Sequence, residues 1–94
     1  MNLKNNHPSE QPVSAKTIFR GEGTVTSLQI QKDAMLKEHE TKIPALLICV
    51  TGEVVFENEN GLKMKMESGD SMHIEPLVKH AVVALQDSQL VLIK

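Results

Sequence analysis

The chain has no Trp, no Tyr and only two Phe among its 94 residues. Proteins that hold nucleic-acid strands use aromatic stacking platforms beside a basic groove, and a formal net charge of −2 supplies no such groove. Nucleic acid is excluded as an expected partner. There is one cysteine, Cys49, so no internal disulfide can form. It lies in the apolar run Leu46-Leu47-Ile48-Cys49-Val50, where a thiol behaves as a small hydrophobe. A reducing, cytoplasmic setting is expected. No apolar run approaches the roughly 20 residues that cross a bilayer, and the N-terminus lacks the basic start and apolar core of a signal peptide. A soluble protein without membrane partners follows as the expectation. With domains running to about 100–150 residues, a chain of 94 has room for one folding unit.

Residues 1–16 lack periodic apolar spacing and carry Pro8 and Pro12, which reads as a flexible N-terminal tail with His7 solvated. From residue 17 to 94 the period is two. In Leu62-Lys63-Met64-Lys65-Met66-Glu67 the apolar side chains alternate with charges, the pattern of a half-buried strand whose lysines discourage edge pairing. Met35, Met64 and Met66 are expected to fill core. Further strands are expected near 18–19, 24–31, 35–39, 45–50, 54–58, 71–74, 81–86 and 90–93. Turn signals separate them at Gly21-Glu22-Gly23, Thr51-Gly52, Asn60-Gly61, Ser68-Gly69 and Asp87-Ser88, and Asn60-Gly61 is the strongest hairpin signal. Many short strands at this spacing predict an all-β sandwich or barrel.

The strand from Ala45 to Val50 is apolar on both faces, with Ala45, Leu47 and Cys49 on one and Leu46, Ile48 and Val50 on the other. Val91, Leu92 and Ile93 repeat that character. Both sides need cover, so a homodimer is expected, the alternative being cover by the N-terminal strand alone.

His39 and Thr41 are two residues apart, so on an extended strand both address one side, and His80 offers a second imidazole from another strand. Glu38 and Glu40 flank His39 and point the other way unless a bulge re-aims them. His73 alternates with Met72 and Ile74 and reads as a surface residue; were Ser71, His73 and Glu75 the pocket side instead, it would be a third ligand. Gln86 shares the parity of His80 and could bond deeper in a cavity.

At His39, Thr41, Ala45 and Gly52, and again at Gly69, Asp70, Pro76 and His80, the sequence resembles the cupin family. The family's first motif carries an opening glycine, two histidines, a glutamate and a closing glycine; here Asp33, His39, Thr41, Ala45 and Gly52 occupy those places. In the second motif Leu77 replaces an inner glycine. The resemblance implies a single-domain jelly-roll barrel, the double-stranded β-helix of cupins, and a site that has kept His39 and His80 while losing other metal ligands.

Two function classes follow. In the first, the barrel binds a small molecule, with His39, Thr41 and His80 as polar anchors among Leu47, Cys49 and Val82. In the second, the resemblance implies a metal-dependent dioxygenase, isomerase or decarboxylase. His39 and His80 would hold Fe, Mn, Zn, Ni or Cu with a third ligand from His73 or solvent. No paired carboxylates or nucleophile constellation supports metal-free catalysis.

Overall fold

Period-two alternation resolves into strands β1 (Val13–Arg20), β2 (Thr24–Ile30), β3 (Met35–His39), β4 (Ala45–Thr51), β5 (Glu53–Asn58), β6 (Lys63–Glu67), β7 (Ser71–Ile74), β8 (His80–Ala84) and β9 (Ser88–Ile93). The computed structural model describes the backbone of residues 1–94 and every side chain except those of Glu38 and His39. All strand pairs are antiparallel, in a five-stranded sheet ordered β1-β2-β9-β4-β7 and a four-stranded sheet ordered β3-β8-β5-β6. The two sheets make the jelly roll expected from the sequence. Among the described residues no helix is long and apolar enough to cross a membrane.

The core lies between the inner faces. Leu28, Ile30, Leu47, Cys49 and Leu90 come from the larger sheet, and Val54, Phe56, Met66, Val82 and Ala84 from the smaller, all at 4% exposure or less. Burying each large side chain contributes roughly 1.5–3 kcal/mol, and this is the main force holding the sheets together. The β5–β6 hairpin turns at Asn60-Gly61 as its sequence predicts. Gly61 has φ +90°, and the Asn58 side-chain oxygen accepts from the N–H groups of Asn60 and Leu62 at 2.9 and 3.1 Å. Gly52 joins β4 to β5 with φ +93°, where a Cβ would run into Ser88 Oγ and the Asp87 carbonyl. That corner needs glycine for both its conformation and its space.

The strand limits differ from the sequence expectation in places set by long-range pairing. β1 begins at Val13, opposite Ile30, so residues 13–16 belong to the sheet and not to a tail. The chain before it lies against the sheet, with Gln31 N donating to Pro12 O at 2.8 Å and Gln31 Nε2 to Ser9 O at 2.6 Å. His7 is not merely solvated: its ring bonds to Ser14 and Ser27. β8 stops at Ala84, and Gln86 falls in the exposed bend that follows, where its Nε2 donates to Glu53 Oε2 at 2.8 Å. It reaches no cavity beside His80. Of the residues expected to fill core, Met66 is buried, while Met64 and Met35 remain 46% and 50% exposed, and Leu62, just before β6, is 39% exposed. β6 and β3 are the two edge strands of the smaller sheet, where a side chain has a strand beside it on one side only.

Candidate functional site

On β8 the side chains of His80, Val82 and Ala84 turn inward and are 3%, 1% and 0% exposed. Across the ladders Phe56 lies opposite Val82 and Asn58 opposite His80 on one side, while Leu36 lies opposite Val82 and His39 opposite His80 on the other. Directly opposed residues of antiparallel strands share a face. The backbone therefore places the two histidine positions side by side at one end of the barrel. The β3–β8 register slips by one residue between Leu36 and His39, and this bulge, with its extra residue on β3, is what brings position 39 opposite His80. The side chains of His39 and Glu38, and so the metal-ligand reading of His39, lie outside the described residues.

His80 is held from two directions. Its ring stacks on Phe56, with centroids 5.6 Å apart and planes at 18°. Its Nδ1 lies 3.3 Å from Val78 O, and because a carbonyl can only accept, Nδ1 is the donor of this contact. Thr41 is 5% exposed and serves the loops at this end: its Oγ1 donates to Ile43 O at 2.8 Å, and its carbonyl accepts from Leu77 N at 2.8 Å. Ile43 and Leu77, whose backbones bond to Thr41, are 52% and 64% exposed, and Met64, paired with Phe56 across the β5–β6 ladder, is 46% exposed.

The remaining expected pocket residues lie deeper. Leu47, Cys49 and Val82 are 2%, 0% and 1% exposed and belong to the packed core. The Cys49 thiol lies near the carbonyls of Thr51 and Gly52, and burial, followed by the charges of Asp70 and Glu53, pushes it up from its ordinary value. It is a core thiol, unsuited to nucleophilic work.

Among the described residues, which leave out the side chains of Glu38 and His39, no three His, Cys, Asp or Glu side chains come together, where a transition-metal ion normally takes at least three protein ligands. Thr41 spends its hydroxyl proton on a backbone carbonyl, and Ala45 offers no donor atom. His73 lies opposite Leu46 with an exposed side chain on the outer face, so it is no third ligand. The alternation Met72–His73–Ile74 carried that answer in the sequence. The Phe56 stack and the exposed Met64 were not legible there, because both depend on cross-strand register.

No family model and no curated protein matches the sequence. Solved structures do match in shape. A cupin superfamily protein from Desulfitobacterium hafniense DCB-2 aligns with TM-score 0.87 and 14% identity over 98% of this chain and 84% of its own. An RmlC-like cupin from Desulfovibrio desulfuricans gives 0.85 and 16% over 98% and 90%. Another from Shewanella frigidimarina NCIMB 400 gives 0.80 and 20% over 92% and 78%. At these identities the likeness shows the fold, and that fold is the cupin jelly roll.

Proposed function

Taking the chain as a cupin-fold barrel, we propose that it binds a small molecule at the barrel end where His39 and His80 are opposed, and that its metal site is incomplete. The observation that carries this reading is a buried, inward imidazole, His80, stacked on Phe56, in a molecule whose Met64, Ile43 and Leu77 side chains are exposed and apolar. A few polar anchors in an apolar concavity are the ordinary form of a small-molecule site. In this reading His39, Thr41 and His80 are the anchors, Leu47, Cys49 and Val82 are the floor, and the ligand is a partly apolar molecule carrying a group that bonds to imidazole. The competing reading, a metal-dependent dioxygenase, isomerase or decarboxylase, is favoured only by the His39–His80 register and lacks the ligand expected from His73.

We also propose that the protein works as a cytoplasmic homodimer. Phe19, Val25, Ile93 and Leu46 are successive partners in the ladders, so they form one apolar row on the outer face, with Phe19 63% and Ile93 38% exposed. The lone buried thiol suits a reducing compartment.

A fragment library screened by amide and imidazole chemical shifts tests the binding reading. Saturable shifts at Thr41, Met64, Leu77 and His80, weakened about tenfold in His80→Ala, are expected. Ligands that shift none of these residues would overturn it.

A further inference from the structure

A second polar site lies on the opposite side of the larger sheet, away from the barrel interior. The ladders put Ser14 opposite Gln29, Gln29 opposite Gln89 and Gln89 opposite Thr51, so four strands contribute one polar row. These residues alternate with the inward Leu28, Ile30 and Leu90 and therefore face outward. An outward glutamine is normally wet. Gln29 and Gln89 are instead 8% exposed.

The cover is the chain before β1, which crosses the row and is pinned by His7. The His7 Nδ1 bonds to Ser14 Oγ at 2.5 Å and its Nε2 to Ser27 Oγ at 2.7 Å, both on the sheet. Between this strap and the sheet lies a cavity of about 310 Å³ bordered by Lys4, His7, Gln29, Thr51, Asp87 and Gln89. An adjoining cavity of about 320 Å³ shares Lys4, Thr51 and Gln89.

The amides in this row have a fixed sense. Pro8 O can only accept, so it takes the Gln29 Nε2 proton, at 3.4 Å; Gln29 Oε1 then faces Gln89 and accepts from its Nε2 at 2.8 Å. Gln89 Oε1 is what remains. It is buried, and it has no hydrogen-bond partner among the described residues. Turning both amides over would aim Gln29 Oε1 at the Pro8 carbonyl, acceptor against acceptor. A buried acceptor left without a donor is costly, and native chains normally supply the donor from water or a ligand.

We infer that this cavity is a binding site for a small neutral polyol, whose hydroxyl donates to Gln89 Oε1. Hydroxyl groups suit the wall because each can donate and accept, and the wall holds both kinds of partner. Lys4 supplies donors, Thr51 can do either, and Asp87 supplies carboxylate oxygen, one of whose atoms already accepts from Lys32 N at 2.8 Å. Lys4 and Asp87 carry opposite charges, so the ligand needs no net charge. The volume is at the lower end of ligand pockets and selects a compact molecule. The site is independent of the barrel-end proposal, and neither stands or falls with the other.

The test is a titration of the intact chain with xylitol, followed through the side-chain amide signals of Gln29 and Gln89, with L-serine as a zwitterionic comparison. Saturable shifts at both amides with xylitol are expected, weakened about tenfold or more in Gln89→Met and clearly weakened in Lys4→Ala. Lys4 is exposed, so its replacement keeps the fold even if Gln89→Met does not. Linear, unsaturated shifts spread over the surface would mean that water alone fills the cavity and would overturn the inference. Saturation by L-serine but not xylitol would overturn the assignment to a polyol.

Discussion

Leu77 donates its backbone N–H to the Thr41 carbonyl at 2.8 Å while holding a left-handed backbone, φ +64°. The bond ties the loop before β8 to the loop before β4. A branched, non-glycine residue in this conformation is strained by its Cβ. Asp33, which precedes β3, is the other non-glycine residue with positive φ, at 68°. Both stand where the cupin motifs place glycine, the residue that adopts this backbone conformation without strain.

Leu77→Gly is expected to stabilise the protein. Relief of the left-handed strain gives about 1–2 kcal/mol, and the added freedom of glycine in the unfolded chain takes back about 0.5–1 kcal/mol. With the side chain 64% exposed, little burial is lost. A net gain of about 0.5–1 kcal/mol in urea unfolding is the expected result; a loss of stability would show that the Leu77 side chain packs more than its exposure indicates.

His7 makes the cover over Gln29 and Gln89 sensitive to acid. Burial, and secondarily the charge of Lys16, lowers its pKa from the ordinary 6.5. The folded value lies below the unfolded one, so the unfolded state takes up the proton first. Its contribution is present in full above about pH 6.5 and is lost as the pH falls through the folded value. Stability should decline on acidification below pH 6.5, and His7→Gln should flatten that decline relative to the parent chain, with the other three histidines unchanged. Parallel profiles for the two proteins would remove His7 from the account.

The outer apolar row makes assembly testable. Sedimentation at micromolar concentration should give a dimer, and Phe19→Asp or Ile93→Asp should weaken association by about tenfold or more while leaving the fold intact, because both side chains are exposed in the single chain. A monomeric parent protein would end this argument.

Much of the fold was legible from short-range signals. Alternation located most of the strands, Asn60-Gly61 fixed one hairpin, and the doubly apolar stretch 45–50 is β4, in the interior of its sheet. What was not legible depends on partners distant in sequence. The start of β1 is set by its pairing with Ile30, the exposure of Met64 by the edge position of β6, and the bulge near His39 by the β3–β8 register. The same holds at the sites. Parity alone placed His73 outside, whereas the stack of His80 on Phe56 and the Gln29–Gln89 pair appear only when four strands are assembled in order.

The central claim is that the barrel end is a ligand site with two histidine positions and too few donors for a resident metal. Elemental analysis of untagged protein, after incubation with Fe, Mn, Zn, Ni and Cu and removal of unbound ions, tests it most directly. Two imidazoles hold such ions weakly, so far less than one metal per chain is predicted. One tightly held metal per chain, lost in both His39→Ala and His80→Ala, would contradict the claim and favour the metal-dependent enzyme.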